Sequence, residues 1–249
     1  MILDEIISSS ELRAAALPGS FPESGHAPIS LHTTITREKH NAIIAELKFA
    51  SPSRGPIREE KKPEYIVGEL IRGGCCALSV LTEPTYFRGN TGIIRRIRDT
   101  VSVPILRKDF IVDTHQLDET RSIGADAVLL ISSVLGEETG HFVEETVRRG
   151  IEPLVEVNTR QEARAVLDTG AELVEINNRD LKTFRTDLST TKRIAPILRE
   201  AGKTVIAASG MIWPCDVRTL HQYADGFLIG SSIMSSDNPR KRVEGFVYA

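Results

Sequence analysis

Several charged side chains in this sequence fall at the ends of apolar, β-branched runs, where hydrophobic patterning does not require them. Glu46 and Lys48 stand two apart in "AIIAELK", a spacing that puts both on one face of a strand. Lys108 lies between Arg107 and Asp109 at the end of "VPILRKD", and Glu156 lies near the end of "EPLVEV". A further run reads Glu175-Ile176-Asn177-Asn178-Arg179-Asp180. Any one of these residues alone reads as a solvated rim residue. Glu46, Lys48, Lys108, Glu156, Asn177 and Arg179 together read as an active site, because charges at strand ends need partners or a ligand. Lys108 suits a general acid whose neighbours keep it protonated, and Glu156 suits a general base or the stabiliser of an iminium-type cation. The planar fork of Arg179 suits a substrate carboxylate. Asp109 reads equally well as a structural carboxylate that orients backbone or Lys108. His40, His115, His141 and His221 are scattered over helical and loop segments, and no cluster has metal-ligand spacing, so no metal site is expected.

The elements that must position these residues alternate. Strand-like runs occupy 42–48, 76–82, 103–109, 126–132, 152–157, 173–178, 204–209 and 226–231. Between them lie amphipathic helical patterns such as "PEYIVGELIRGG", "GHFVEETVRRG" and "TTKRIAPILREAG", several closing on Gly. Successive strands are separated by roughly 20–30 residues, the size of a βα unit. Eight such units predict a single α/β domain over 1–249, a closed (β/α)8 barrel. An open doubly wound sheet would carry a glycine-rich fingerprint after its first strand, and "ELKFASPSRG" does not match one. Residues 1–41 precede the first strand as an N-terminal extension, helical over "LDEIISSSELRAAAL" and a turn-rich loop over 18–30.

The last two strands end in small residues: "KTVIAASGMI" stops at Ser209-Gly210, and "GFLIGS" at Gly230-Ser231. In barrels of this kind the loops after strands seven and eight commonly hold a phosphate on backbone N–H groups. Ser209, Gly210, Gly230 and Ser231 are therefore the expected phosphate grip.

Bulk composition narrows the partners. A formal net charge of −3 gives no basis for a nucleic-acid or anionic-membrane partner, yet leaves room for a small anion. Cys75, Cys76 and Cys215 form neither a metal motif nor a disulfide framework and read as packing residues. No stretch reads as a secretory signal or a transmembrane span, which predicts a cytoplasmic protein.

Taken in order, "IIAELKFASPSRG", "LSVLTEPTYFRGN", "VPILRKDFIVD", "EPLVEVNT", "EINNRDLKTF", "ASGM" and "GFLIGSSIM" resemble indole-3-glycerol phosphate synthase over about residues 42–234. The resemblance implies a (β/α)8 barrel with an extra N-terminal helix. It implies conversion of 1-(2-carboxyphenylamino)-1-deoxyribulose 5-phosphate to indole-3-glycerol phosphate, carbon dioxide and water, without a metal or organic cofactor. By position it makes Lys108 the general acid and Glu156 the general base, with Glu46 and Lys48 the supporting pair of strand one. Ser51, Asn177 and Arg179 fall on residues that hold the substrate around its anthranilate end. Phe87, Phe110 and Leu181 fall on the apolar wall beside its aromatic ring. The partner implied is a small phosphorylated molecule, with no nucleic acid and no membrane. The chain is expected as a monomer that could associate with other tryptophan-pathway enzymes.

Two departures from the family pattern stand out. Phe49 and Ala50 replace polar residues in "KFASPS", and Ala208 stands where the family pattern reads Glu, in "AASG". On the resemblance, the synthase either tolerates Ala208 or is slowed by it, and Ala208→Glu should raise turnover in an otherwise intact site. The competing readings are a phosphate-ligand-binding barrel without turnover, and another phosphosugar barrel enzyme such as phosphoribosylanthranilate isomerase.

Overall fold

The computed structural model describes residues 2–52, 55–58, 62–180 and 183–249. Eight parallel strands close on themselves: β1 (Ala42–Leu47), β2 (Ala77–Leu81), β3 (Ile105–Lys108), β4 (Ala127–Ile131), β5 (Glu152–Val157), β6 (Leu173–Asn177), β7 (Thr204–Ala208) and β8 (Gly226–Ile229). Each pairs with its sequence neighbours, and β1 pairs with both β2 and β8, which seals the barrel. The chain forms a (β/α)8 barrel, as its pattern of runs predicts. The strands end up to two residues before the expected boundaries, so Lys48, Asp109 and Ser209 lie just beyond the last paired residue.

Both faces of the strands are apolar because both are covered, as in parallel sheets generally. Ile44, Leu106, Leu129, Leu154, Leu173, Ile206 and Leu228 fill the interior. Ile43, Leu78, Val80, Val128, Val155, Val174 and Val205 face the surrounding helices. The two-residue period turns Arg107 outward and Lys108 inward. Arg107 is wholly buried, donating to Gln116 O, Thr120 Oγ1 and Glu119 Oε2 of the helix His115–Ser122.

The N-terminal extension contains two helices rather than one. α1 (Ile2–Ala15) lies at the end of the barrel where the strands finish: Ile6 shares an apolar cluster with Phe110, and Arg13 donates to both oxygens of Asp109 at 2.9 and 3.3 Å. α2 (Leu31–Arg37) closes the opposite end, with His32 N donating to Glu152 and the ring against Thr204, both first residues of strands. Its run of β-branched residues has modest helix propensity. The Ser30 hydroxyl caps it by accepting from Thr33 N, and Leu31 and Ile35 are buried. The turn-rich segment between α1 and α2 is strapped to the barrel wall by Asp126, which binds His26 and the backbone N–H of Ile29. Among the described residues no helix is long and apolar enough to cross a membrane.

Candidate active site

The ends of the strands surround a cavity of about 760 Å³. Glu46, Lys48, Ser51, Phe87, Lys108, Phe110, Glu156, Asn177, Arg179, Ala208, Ser209, Gly210, Gly230 and Ser231 all line it. The sequence-predicted set therefore converges on one space. Leu181, also expected there, lies outside the described residues.

The charges in this cavity form one cluster. Lys48 Nζ donates to Glu46 Oε2 at 2.5 Å, so the two-apart pair of β1 shares a side as its spacing requires. Lys108 Nζ donates to Glu175 Oε1 at 2.7 Å and lies 3.7 Å from Glu156 Oε2. Glu156 Oε1 accepts from Asn177 Nδ2 at 2.9 Å, and Asn177 Oδ1 accepts the backbone N–H of Arg179. The Glu156 carboxylate is thus oriented by an amide that is itself anchored. Burial disfavours the Lys108 charge, but the carboxylates of Glu175, Glu156 and Glu46 outweigh it and raise its pKa, so it stays an ammonium. Glu46 is buried too, yet the charges of Lys48 and Lys108 hold its carboxyl below the usual range.

Asp109 takes the structural role. Its oxygens accept from Arg13, Arg107, Thr82 and the Phe110 N–H, which leaves it bonded on every side. Burial would raise its pKa; the Arg107 charge and the Arg13 hydrogen bond prevail and lower it. The apolar wall is set by a second buried carboxylate. Glu83, wholly buried, accepts from the N–H groups of Thr85, Tyr86 and Phe87 and shapes the loop that carries Phe87. The rings of Phe87 and Phe110 lie 6.3 Å apart, tilted by 38°.

Small residues after β7 and β8 serve close approach. A Cβ at Gly230 would collide with the Glu46 carboxylate, so this glycine makes room for a charged residue as well as lining the cavity. Ser209 and Gly210 both have left-handed backbone (φ 65° and 87°), which turns the chain sharply off β7. The Ser51 hydroxyl is buried at the cavity and has no hydrogen-bond partner among the described residues. No group of three His, Cys, Asp or Glu side chains among the described residues could hold a metal ion.

The family model for indole-3-glycerol phosphate synthase matches residues 6–246, nearly the whole chain. This chain belongs to the indole-3-glycerol phosphate synthase family. An indole-3-glycerol phosphate synthase of Methanocaldococcus jannaschii is 44% identical over 213 residues, covering 85% of this chain and 79% of that one. That of Carboxydothermus hydrogenoformans is 40% identical over 226 residues, covering 89% and 86%. That of a Geobacillus species is 38% identical over 251 residues, covering 99% and 95%. Among solved structures, a thiamine phosphate pyrophosphorylase from Pyrococcus furiosus aligns with a TM-score of 0.61 at 17% identity, over 85% of this chain and 95% of that one. That likeness concerns the fold alone. Membership in the synthase family makes this protein a carboxy-lyase of tryptophan biosynthesis.

One member of the charge cluster lay outside the sequence-predicted set. Glu175 sits inside β6 between Val174 and Ile176 and is the hydrogen-bond partner of Lys108. The signal was its two-residue spacing from Asn177, which puts both on the interior face. Ala208 is buried and faces the cavity, beside Asn177 in strand register.

Proposed function

We propose that the strand-end cluster carries out cofactor-free ring closure of 1-(2-carboxyphenylamino)-1-deoxyribulose 5-phosphate, with Lys108 as general acid and Glu156 as general base. The observation that supports this most is that Lys108 and Glu156 face each other at 3.7 Å in the cavity, with Glu156 oriented by Asn177. Lys108 protonates the carbonyl oxygen as the ring carbon bearing the carboxylate attacks the carbonyl carbon. The new carbon–carbon bond costs the ring its aromaticity, and loss of carbon dioxide returns the electron pair to it. After Lys108 regains a proton from solvent, the hydroxyl leaves as water with that second proton, while Glu156 takes a proton from the methylene carbon beside the nitrogen, which sets the carbon–carbon double bond of the indole and leaves the N–H in place.

Around this chemistry, Glu46 and Lys48 support the acid and contact the substrate. Ser51, Asn177 and Arg179 hold the anthranilate end, and Arg179 suits its carboxylate. Phe87, Phe110 and Leu181 wall the aromatic ring. Ser209, Gly210, Gly230 and Ser231 take the phosphate. The partner is a small phosphorylated molecule, and the reading carries a cytoplasmic monomer that works as one domain.

Steady-state assays of the wild-type protein test the reaction class. Indole-3-glycerol phosphate fluorescence should rise with the carboxyphenylamino substrate, and phosphoribosylanthranilate should give no isomerised product. Turnover of the second compound alone, or binding of both without turnover of either, would overturn the proposal.

A further inference from the structure

Glu175 has no part in the roles just assigned, yet it is the group closest to Lys108. Its carboxylate lies wholly buried in the barrel interior, one layer beneath Asn177 on β6. Strand register sets Glu175 directly beside Glu156 of β5, and Asn177 directly beside Ala208 of β7. Lys108 Nζ is 2.7 Å from Glu175 Oε1 but 3.7 Å from Glu156 Oε2. The other oxygen of Glu175, Oε2, is buried without a hydrogen-bond partner among the described residues. A carboxylate with unused acceptor capacity is costly in an interior that elsewhere holds Leu173 and Ile206 on the same face. Structure alone gives no reason to keep it.

We propose that Glu175 is a positioning residue of the reaction: from β6 it draws the Lys108 ammonium toward itself and away from Glu156, so that acid and base stay separate until substrate lies between them. The inference rests on the acid and base roles proposed above for Lys108 and Glu156. Without Glu175, Lys108 and Glu156 would close into a direct ion pair, and each would have to break it to reach the substrate. An ammonium has three N–H donors. With one bonded to Glu175, two stay available to the substrate oxygen, first as the carbonyl and then as the leaving hydroxyl. The placement also bears on Ala208, because β7 offers no carboxylate there while the adjacent strand offers one on the same face, two residues deeper. The charged groups facing Glu175 are Lys108 of β3, Glu156 of β5 and Glu46 of β1, whereas β7 contributes Ile206 as its register neighbour. Burial and the neighbouring Glu156 push the Glu175 carboxyl up, and the adjacent Lys108 ammonium pulls it back toward the ionised form.

The test compares Glu175→Leu, Glu175→Gln and Lys108→Met with the wild type, reading kcat and KM from about pH 6 to about 11.5, a range that reaches past the ordinary ammonium value, with unfolding midpoints as the check on folding. Glu175→Leu should lower kcat at least about tenfold with KM changed less than about threefold. Glu175→Gln keeps an acceptor for Nζ and should recover most of that loss. In both variants the alkaline limb of kcat/KM should move to lower pH, because Lys108 loses a negative neighbour that favours its charge. Should Glu175→Leu not fold, the limb of Glu175→Gln decides, a shift supporting the role and an unmoved limb overturning it. Wild-type kcat and an unmoved limb in Glu175→Leu, beside an inactive Lys108→Met, would overturn the role of Glu175 alone. Wild-type turnover in Lys108→Met would instead overturn the acid assignment beneath it.

Discussion

The Lys108 ammonium is surrounded by three buried carboxylates, Glu46, Glu156 and Glu175, and among the described residues Lys48 and Arg179 join it as cations of the cavity lining. This census changes the expectation for Ala208. A glutamate added there would be a further carboxylate in a cavity that must accept a substrate bearing both a carboxylate and a phosphate. Ala208→Glu should therefore leave kcat no higher and raise KM about three- to tenfold, measured in steady state. A clear rise in kcat would mean that β7 lacks a carboxylate that Glu175 does not replace. Most of this site was legible from residue types, because Glu46, Lys48, Lys108 and Glu156 are polar where an aliphatic strand would continue. Glu175, flanked by Val174 and Ile176, interrupts an aliphatic strand in the same way and lies two residues from Asn177; what the sequence does not show is its partner, since strand register sets it beside Glu156.

The strand ends and the loops that follow convert alternation into chemistry. In "RKD", Arg107 turns out to the helix His115–Ser122, Lys108 turns in to the cavity, and Asp109 ties α1 to the barrel. The loop after β2 is built around Glu83, whose two oxygens collect three backbone N–H groups and so set the position of Phe87. Glu83→Ala would orphan those donors and should cost about 3 kcal/mol of stability by urea denaturation. It should also raise KM more than it lowers kcat, since the loop carries a wall of the site rather than the acid or base. An unchanged KM would separate Phe87 from substrate binding. The short helix α2 was not legible, because "LHTTITR" has weak helix propensity and depends on its Ser30 cap and on burial of Leu31 and Ile35.

At the scale of the molecule, the barrel was readable because eight apolar runs at βα spacing admit few other closed arrangements. The course of the N-terminal extension was not, since it is fixed by pairings such as His26 with Asp126 and Arg13 with Asp109, nearly one hundred residues apart. Those ties bring α1 to the end of the barrel where the strands finish and α2 to the opposite end, and in the cavity at the first of these Lys108 and Glu156, the proposed acid and base, meet. The claim that this meeting performs the ring closure is tested most directly by Lys108→Met, with turnover and product binding measured on the same preparation. The account predicts a kcat lowered about 10²- to 10⁴-fold, with indole-3-glycerol phosphate still bound within about threefold of wild type. A Lys108→Met protein that turns over within about tenfold of wild type would contradict it.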